Sequence, residues 1–413
     1  MSNPLANPDQ FAAEADVRAI LASDAIEAAV AIVGNRFRLA YGTDVLDGAE
    51  PHFEAAMREF VTNYAFKAAA SESAHPRFVR DFMPAYDWHG THVPGARMGG
   101  DNPDNCYRLA GIAHGGHYRV TARPVGPVPA NTSFTLVGNF GTSDTIQTIE
   151  TAQIVCEADG SFVLTIDGTP ADGRDNHLTT APRAKFLFVR ESFENWATET
   201  SYDLSIDRLD PVDAAPLTRA EMAERAAFRA VEDVPLYYWF HRLFSGLERN
   251  TIRLPSPAGS VGGLVTQAGV QGWFTLADDE VVLVRANTAG AAYVAFQCTD
   301  WWFRSIDAHE RSSSLTRQQC QPDPDGTLSA VIAPRDPGVV NWLDTGGLAT
   351  SLFLARWQGL PSTPVDGGPT ITARLLNRRD LPQDFLARQA IDDAGRAALL
   401  AERKSAWSRR IEI

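Results

Sequence analysis

The chain reads as a mainly β protein with helical additions, an α+β fold of two β-sandwich or jelly-roll-like modules with N-terminal, middle and C-terminal helices. Three observations carry this reading. Short β-type runs separated by Gly, Pro, Asp and Asn fill residues 106–210 and again 260–376, the spacing of antiparallel strands joined by tight turns. Stretches with apolar residues at helical spacing precede, divide and follow these regions. The two strand-rich regions also repeat one another.

Each element has its own signal. Residues 12–70 are rich in Ala and carry Val17, Ile20 and Leu21, then Ile26, Val30, Ile32 and Val33, at helical spacing. A further helix runs through Phe53, Met57, Phe60 and Val61. Residues 71–105 hold Pro76, Pro84, Pro94 and Pro103 with Gly90, Gly95, Gly99 and Gly100. That is loop chemistry, and long ordered loops are often functional. Strands follow at Tyr118–Ala122, Ser133–Val137, Phe162–Ile166, Lys185–Val189 and Tyr202–Ile206. Residues 217–248 return to helix, opened by a capping box of Thr218 and Glu221. Residues 382–408 close with a helix rich in Ala, Arg and Leu. The predicted divisions are 1–95 (helices and long loop), 96–215 (first module), 216–255 (connecting helix), 256–378 (second module) and 379–413 (C-terminal helix).

The repeat is specific. Asp159-Gly160 precedes the strand FVLTI, and Arg190 ends the next strand 31 positions after Asp159. Asp325-Gly326 precedes TLSAVIA, and Arg356 lies 31 positions after Asp325 in a like strand. A further strand follows each arginine, from Leu204 and from Ile371. Matching turns, strands and terminal arginines argue for two equivalent modules.

Composition narrows the function classes. With 44% hydrophobic and 21% charged residues over 413 positions, the chain can bury a large core without staples. Its net charge of −14 argues against nucleic acid, which demands a basic face. Cys106, Cys156, Cys298 and Cys320 form no CxxC pair, and no basic, apolar leader or membrane-length run is visible. A cytoplasmic location, no membrane partner and a small-molecule substrate are expected, and a homo-oligomer is left open. No phosphate-binding glycine loop, dinucleotide fingerprint, nucleophile elbow or HExxH string occurs. The expectation is therefore no cofactor and no metal.

Two stretches carry a family likeness. The first is GDNPDNCYRLAGI, Gly100–Ile112, followed by HYRVTARP; the second is FQCTDWWFRSID, Phe296–Asp307, continuing into RDPGVVNWLDTGG, Arg335–Gly347. Together they resemble bacterial proteins carrying the domain of unknown function numbered 1214, over roughly residues 95–375. Such proteins often place a Gly-His-Arg segment after the NWLDT string, where this chain reads GGLATSLF. The resemblance implies a β-sandwich and no particular chemistry.

The candidate chemistry centres on residues 80–108, the one long segment dense in Arg, His, Asp and Tyr. His89 and His92 are the candidate proton-transfer groups, with Tyr107 as an alternate acid. Arg80 and Arg108 are the candidates to hold a developing oxyanion. Trp302 is expected to pack the ligand's apolar body beside Asn341 and Asp344, where this segment meets the second module. Two function classes fit. One is a cofactor-independent lyase, removing carbon dioxide or a small carbonyl fragment from an apolar aromatic or polycyclic molecule in catabolism. The other is a non-catalytic sandwich that binds a carbohydrate or lipid-like ligand. A pocket that encloses His and Arg favours the first; aromatic rings on an open face favour the second.

Overall fold

Three helices open the computed structural model, which describes residues 3–42, 48–257 and 266–411. They are α1 (Pro8–Leu21), α2 (Asp24–Tyr41) and α3 (Phe53–Ala70). Pro8 sits where a helix needs no N–H, and the Asn7 side chain accepts from the Gln10 N–H at 3.0 Å. The second half of α3, Phe60–Ala70, is buried on every side, its polar residues Thr62, Asn63 and Lys67 included. The middle region holds two helices rather than one, α4 (Arg219–Glu232) and α5 (Val234–Ser245). Asp233 separates them, and Pro235 falls in the first turn of α5, where it is tolerated. The capping box at α4 is formed: Thr218 Oγ1 accepts from Glu221 N at 3.3 Å, and Glu221 accepts from Thr218 N at 2.8 Å. The C-terminal region likewise holds two helices, α6 (Gln383–Gln389) and α7 (Asp393–Ile411).

Between these helices lie two sandwiches. In the first, the inner sheet runs in the order 79–81, 105–111, 186–192, 131–137, 145–150, and the outer sheet in the order 203–208, 118–123, 162–167, 177–179. In the second, the inner sheet runs 251–252, 268–275, 350–358, 293–299, 314–316, and the outer sheet 371–377, 280–286, 328–333, 342–344. The strand order is the same in both. So is the single parallel pairing, 162–167 with 177–179 and 328–333 with 342–344. Even a small detail repeats. A short 3-10 turn closed by a Gln side chain follows the inner edge strand in each, at Gln153 and at Gln319. One boundary moves. Strand Val79–Asp81 pairs with Tyr107–Leu109, so the first sheet begins inside the stretch read as loop.

Burial says which sheet faces water. Strands 118–123, 162–167 and 203–208 alternate buried and open positions, as a half-solvated sheet must. Strands 105–111, 131–137 and 293–299 are buried throughout. Each sandwich has its own apolar filling, around Phe134, Leu164 and Val189 in the first and Phe296, Ile332 and Trp357 in the second. The other faces of the inner sheets meet the helices and each other. Ser192 Oγ donates to Gln358 Oε1 at 2.5 Å, joining the positions two residues beyond Arg190 and Arg356. Glu194 accepts from the Val294 N–H at 3.0 Å, and Glu150 from Thr266 Oγ1 at 2.5 Å.

Candidate functional site

Strand register builds the site. Directly paired residues of an antiparallel sheet point to one face. On the first inner sheet this places Asp81, Tyr107, Arg190, Ser133 and Glu150 in one row. On the second it places Ser256, Gly269, Arg356, Ala295 and Thr316 in the equivalent row. Where the two faces oppose each other, a cavity of about 230 Å³ remains, walled by Tyr107, Arg190, Gly269 and Arg356 among others. The 99–105 loop and α5 close its sides, contributing Asp101, Tyr237 and Phe244.

Both repeat arginines line this cavity, and neither has a carboxylate partner at ion-pair distance among the described residues. The Arg190 guanidinium lies 4.1 Å over the Phe188 ring, with one long hydrogen bond, 3.3 Å, to Thr135 Oγ1. Burial pushes its pKa down to about 10. Arg356 donates to Gln297 Oε1 at 2.5 Å and to the Gly100 carbonyl at 2.8 Å. Three other interior arginines are paired: Arg108 with Glu191 at 2.7 Å, Arg97 with Glu59 at 2.7 Å, Arg304 with Asp300 at 2.8 Å. Buried charges without a partner are rare in folded proteins. Arg190 and Arg356, both half-buried, bring two guanidiniums without a carboxylate partner among the described residues to one cavity.

Tyr107 stands between them. Its ring stacks on Phe188 at 5.7 Å, and its hydroxyl oxygen accepts from the Asn102 N–H at 3.1 Å. Its own hydroxyl hydrogen has no acceptor among the described residues. Burial raises its pKa, and the Arg356 and Arg190 charges pull it back. The phenol is thus protonated and ready to donate. Asp101 is occupied: Ser305 donates to it from N at 2.9 Å and from Oγ at 2.6 Å, and burial lifts its pKa to about 6.

The walls carry backbone strain. Phe82, Thr142 and Phe303 all line the cavity with positive φ, 50°, 58° and 65°, a conformation costly for a bulky or β-branched residue. Gly100, at φ 72°, leaves room for the Phe303 ring, which a Cβ would meet at 2.5 Å. Behind Phe82 lies a second polar group. Lys67 Nζ is 4.9 Å from the Phe82 ring centre, and Lys67 Nζ, both Asp81 carboxylate oxygens and Asn63 Oδ1 lack hydrogen-bond partners among the described residues. Burial lowers Lys67 to about 8 and raises Asp81 to about 7.

Of the eight residues the sequence singled out, this cavity gathers Tyr107. Arg108 points to the opposite face of its strand, paired with Glu191 and donating to the Tyr202 carbonyl at 3.0 Å. Arg80, its register partner, shares that face. His89 and His92 sit exposed on a hairpin, Tyr86–Trp88 with Thr91–Val93. There His92 Nδ1 is 2.9 Å from Asp87 and the His89 ring meets Phe11 and Trp88 edge-on. Trp302 is core: its Nε1 donates to the Ala49 carbonyl at 2.6 Å, and Tyr41 and Phe53 surround it. Asn341 ties strands of the second outer sheet, bonding Gln321 and the Ser329 carbonyl at 2.8 Å. Asp344 holds a turn, accepting from Gly346 N at 2.7 Å and pairing with Arg311 at 3.0 Å. The residues missed are Arg190 and Arg356. Their signal was a charge inside an apolar strand, present twice.

Among the described residues, no three or more His, Cys, Asp or Glu side chains are grouped to hold a metal ion, and no helix is long and apolar enough to cross a membrane. No family model matches the chain, and no curated protein matches it. The resemblance to the 1214 domain therefore rests on the quoted residues. Among solved structures, the chain is similar to an uncharacterized protein from Burkholderia cenocepacia, at 24% identity and a TM-score of 0.70, over 88% of this chain and 100% of that one. This likeness establishes the fold. A protein from Vibrio parahaemolyticus aligns at 9% identity over 66% of this chain and 89% of that one, with a TM-score of 0.37, too low to bear on the fold.

Proposed function

We propose that the cavity between the sandwiches binds a small carbonyl compound with an apolar or aromatic body, and that the protein is a cofactor-independent lyase acting on it. The observation that carries this reading is the pair of guanidiniums, Arg190 and Arg356, facing one aromatic-walled cavity without carboxylate partners. In the proposed reaction the arginines hold the carbonyl oxygen. As the bond to the leaving fragment breaks, its electron pair passes into the substrate and the oxygen becomes an enolate. Fixed cations near a developing oxyanion are the largest single source of such catalysis. The Tyr107 hydroxyl then protonates the carbanion carbon, releasing the product, and water returns a proton to the phenolate. For a β-keto acid the leaving fragment is carbon dioxide.

One observation favours a second reading, binding without turnover. Asp101, a carboxylate in the cavity wall, has its oxygens engaged by Ser305 and is not free as a base. The two readings separate in one experiment. A panel of aryl β-keto acids and aryl carboxylates is titrated by calorimetry and followed by proton NMR. The lyase reading expects keto acids to be consumed and the reaction to be lost in Tyr107→Phe. Tight binding with no turnover leaves the binding reading. Failure of every member to bind, or equal binding in Arg190→Met and Arg356→Met, overturns both.

A further inference from the structure

The opposite face of strand 105–111 carries a second, unrelated arrangement. A cavity of about 250 Å³ lies between the N-terminal residues Pro4 and Leu5, the ends of strands 79–81 and 105–111, and the last turn of α7. Its apolar lining includes Leu5, Cys106, Phe193 and Trp196. Two guanidiniums belong to its wall, Arg80 at 3% and Arg410 at 8% exposure. Arg410 is stacked over Trp196 at 4.3 Å and Phe193 at 4.5 Å, and Arg80 lies 5.1 Å over Tyr86.

Their hydrogen bonding is incomplete. Arg410 donates one bond, from Nη1 to the Pro103 carbonyl at 2.9 Å, while its Nε and Nη2 and the Nη1 of Arg80 have no acceptor among the described residues. No carboxylate stands at ion-pair distance from either guanidinium among the described residues. The acidic groups nearby are committed elsewhere. Glu199, in the same wall, accepts from the Ala130, Glu194 and Asn195 N–H groups. Asp104 accepts from Trp196 Nε1, Tyr293 Oη and Ser314 Oγ, and Glu191 pairs with Arg108. Glu14 is taken by Gln10, Tyr86 and Trp88. The two arginines repel one another, and burial with that repulsion holds the Arg410 pKa down at about 9. Arg409 adds a third cation to the wall. An apolar chamber with guanidiniums in its wall that lack a carboxylate partner and keep N–H donors without acceptors suits one ligand chemistry, a carboxylate on an apolar tail.

We propose that this chamber is a separate site for an apolar monocarboxylate, held at its charged end by Arg80 and Arg410. It uses none of the side chains assigned to the carbonyl compound, so it stands or falls apart from that reading. Asn105 lies in the walls of both cavities.

Sodium octanoate is the probe, with 1-octanol as its uncharged counterpart. Calorimetry on the full chain is expected to find octanoate binding that falls tenfold or more in Arg80→Met and in Arg410→Met. The same binding is expected to persist in Arg356→Met, which acts on the other cavity. Octanol is expected to bind at least tenfold more weakly. Should Arg410→Met fail to fold, Arg80→Met and a crystal soaked with 8-bromooctanoate carry the test, the bromine's anomalous peak marking the chamber. The proposal is overturned if octanol binds as tightly as octanoate, if folded Arg80→Met keeps full affinity, or if the bromine peak lies elsewhere.

Discussion

The two inner sheets share a strand order and an arginine at the same place, yet the rows around those arginines differ. In the first sheet Arg190 is flanked by Tyr107 and Ser133, with Asp81 and Glu150 beyond. In the second Arg356 is flanked by Gly269 and Ala295, with Ser256 and Thr316 beyond. One row carries a tyrosine and two carboxylates, and the other carries small side chains around its arginine. The same backbone thus serves two purposes, and the division lies in side-chain size. A cavity between two rows as bulky as the first would be filled.

That contrast can be broken most severely at Tyr107. On the proposed chemistry, Tyr107→Phe lowers turnover ~100- to 10,000-fold while leaving binding intact, read as kcat against KM on whichever keto acid is consumed. Filling the other row tests the space. Gly269→Leu keeps its first carbon in ordinary contact, 3.6 Å from Gln271, but sends the remainder toward the cavity. Ligand affinity is expected to drop at least ~10-fold, by calorimetry, with the fold retained.

The two arginines should then part company in stability. Arg356→Met leaves Gln297 Oε1 and the Gly100 carbonyl without their donor, and is expected to cost about 1–3 kcal/mol in urea unfolding. Arg190→Met removes a half-buried cation whose one hydrogen bond is long. It is expected to leave stability unchanged to within about 1 kcal/mol. Equal losses from both would erase the distinction between the rows.

Asp81, at the end of the first row, gives a pH signature. Its folded pKa of about 7 lies above the ordinary 3.8, so the folded chain binds more protons than the unfolded chain between those values. Stability therefore falls as pH rises from about 4 to 7. Lys67, lowered from 10.5 to about 8, has the opposite sign, and stability recovers from pH 8 upward. Asp81→Asn should flatten the acid limb, gaining roughly 1–3 kcal/mol at pH 8 and little near pH 4. Thermal unfolding across pH reads this out. The smallest effect belongs to the exposed hairpin: His92→Ala, losing an open contact to Asp87, should change stability by less than ~0.5 kcal/mol and leave ligand binding alone.

These contrasts explain what the sequence could tell. The sandwiches were legible because a half-solvated strand must alternate, and residues 118–123 and 162–167 do so. The duplication was legible because its turns sit at fixed distances from Arg190 and Arg356. The cavity was not, because it forms where two sheets distant in sequence face each other. Density along the chain also does not fix which side chains share a face. Residues 80–108 are crowded with polar groups, but the hairpin within them turns His89 and His92 outward. Strand alternation also splits the remainder, sending Asp81 and Tyr107 to one face and Arg80 and Arg108 to the other. Arg190 and Arg356 were visible as markers of a repeat. That the two guanidiniums face one cavity without a carboxylate partner among the described residues is visible only in three dimensions.

The bond between Ser192 and Gln358 joins a position to its own counterpart, which is what a twofold axis produces. A ligand lying on a true axis could be seated in either of two equal directions. Here the equality is broken, because the counterpart of Tyr107 in the second row is Gly269, which has no side chain. On the proposed chemistry the incoming hydrogen then reaches the substrate from one side alone. Run in deuterium oxide on a prochiral substrate, the reaction would yield a labelled product of a single configuration.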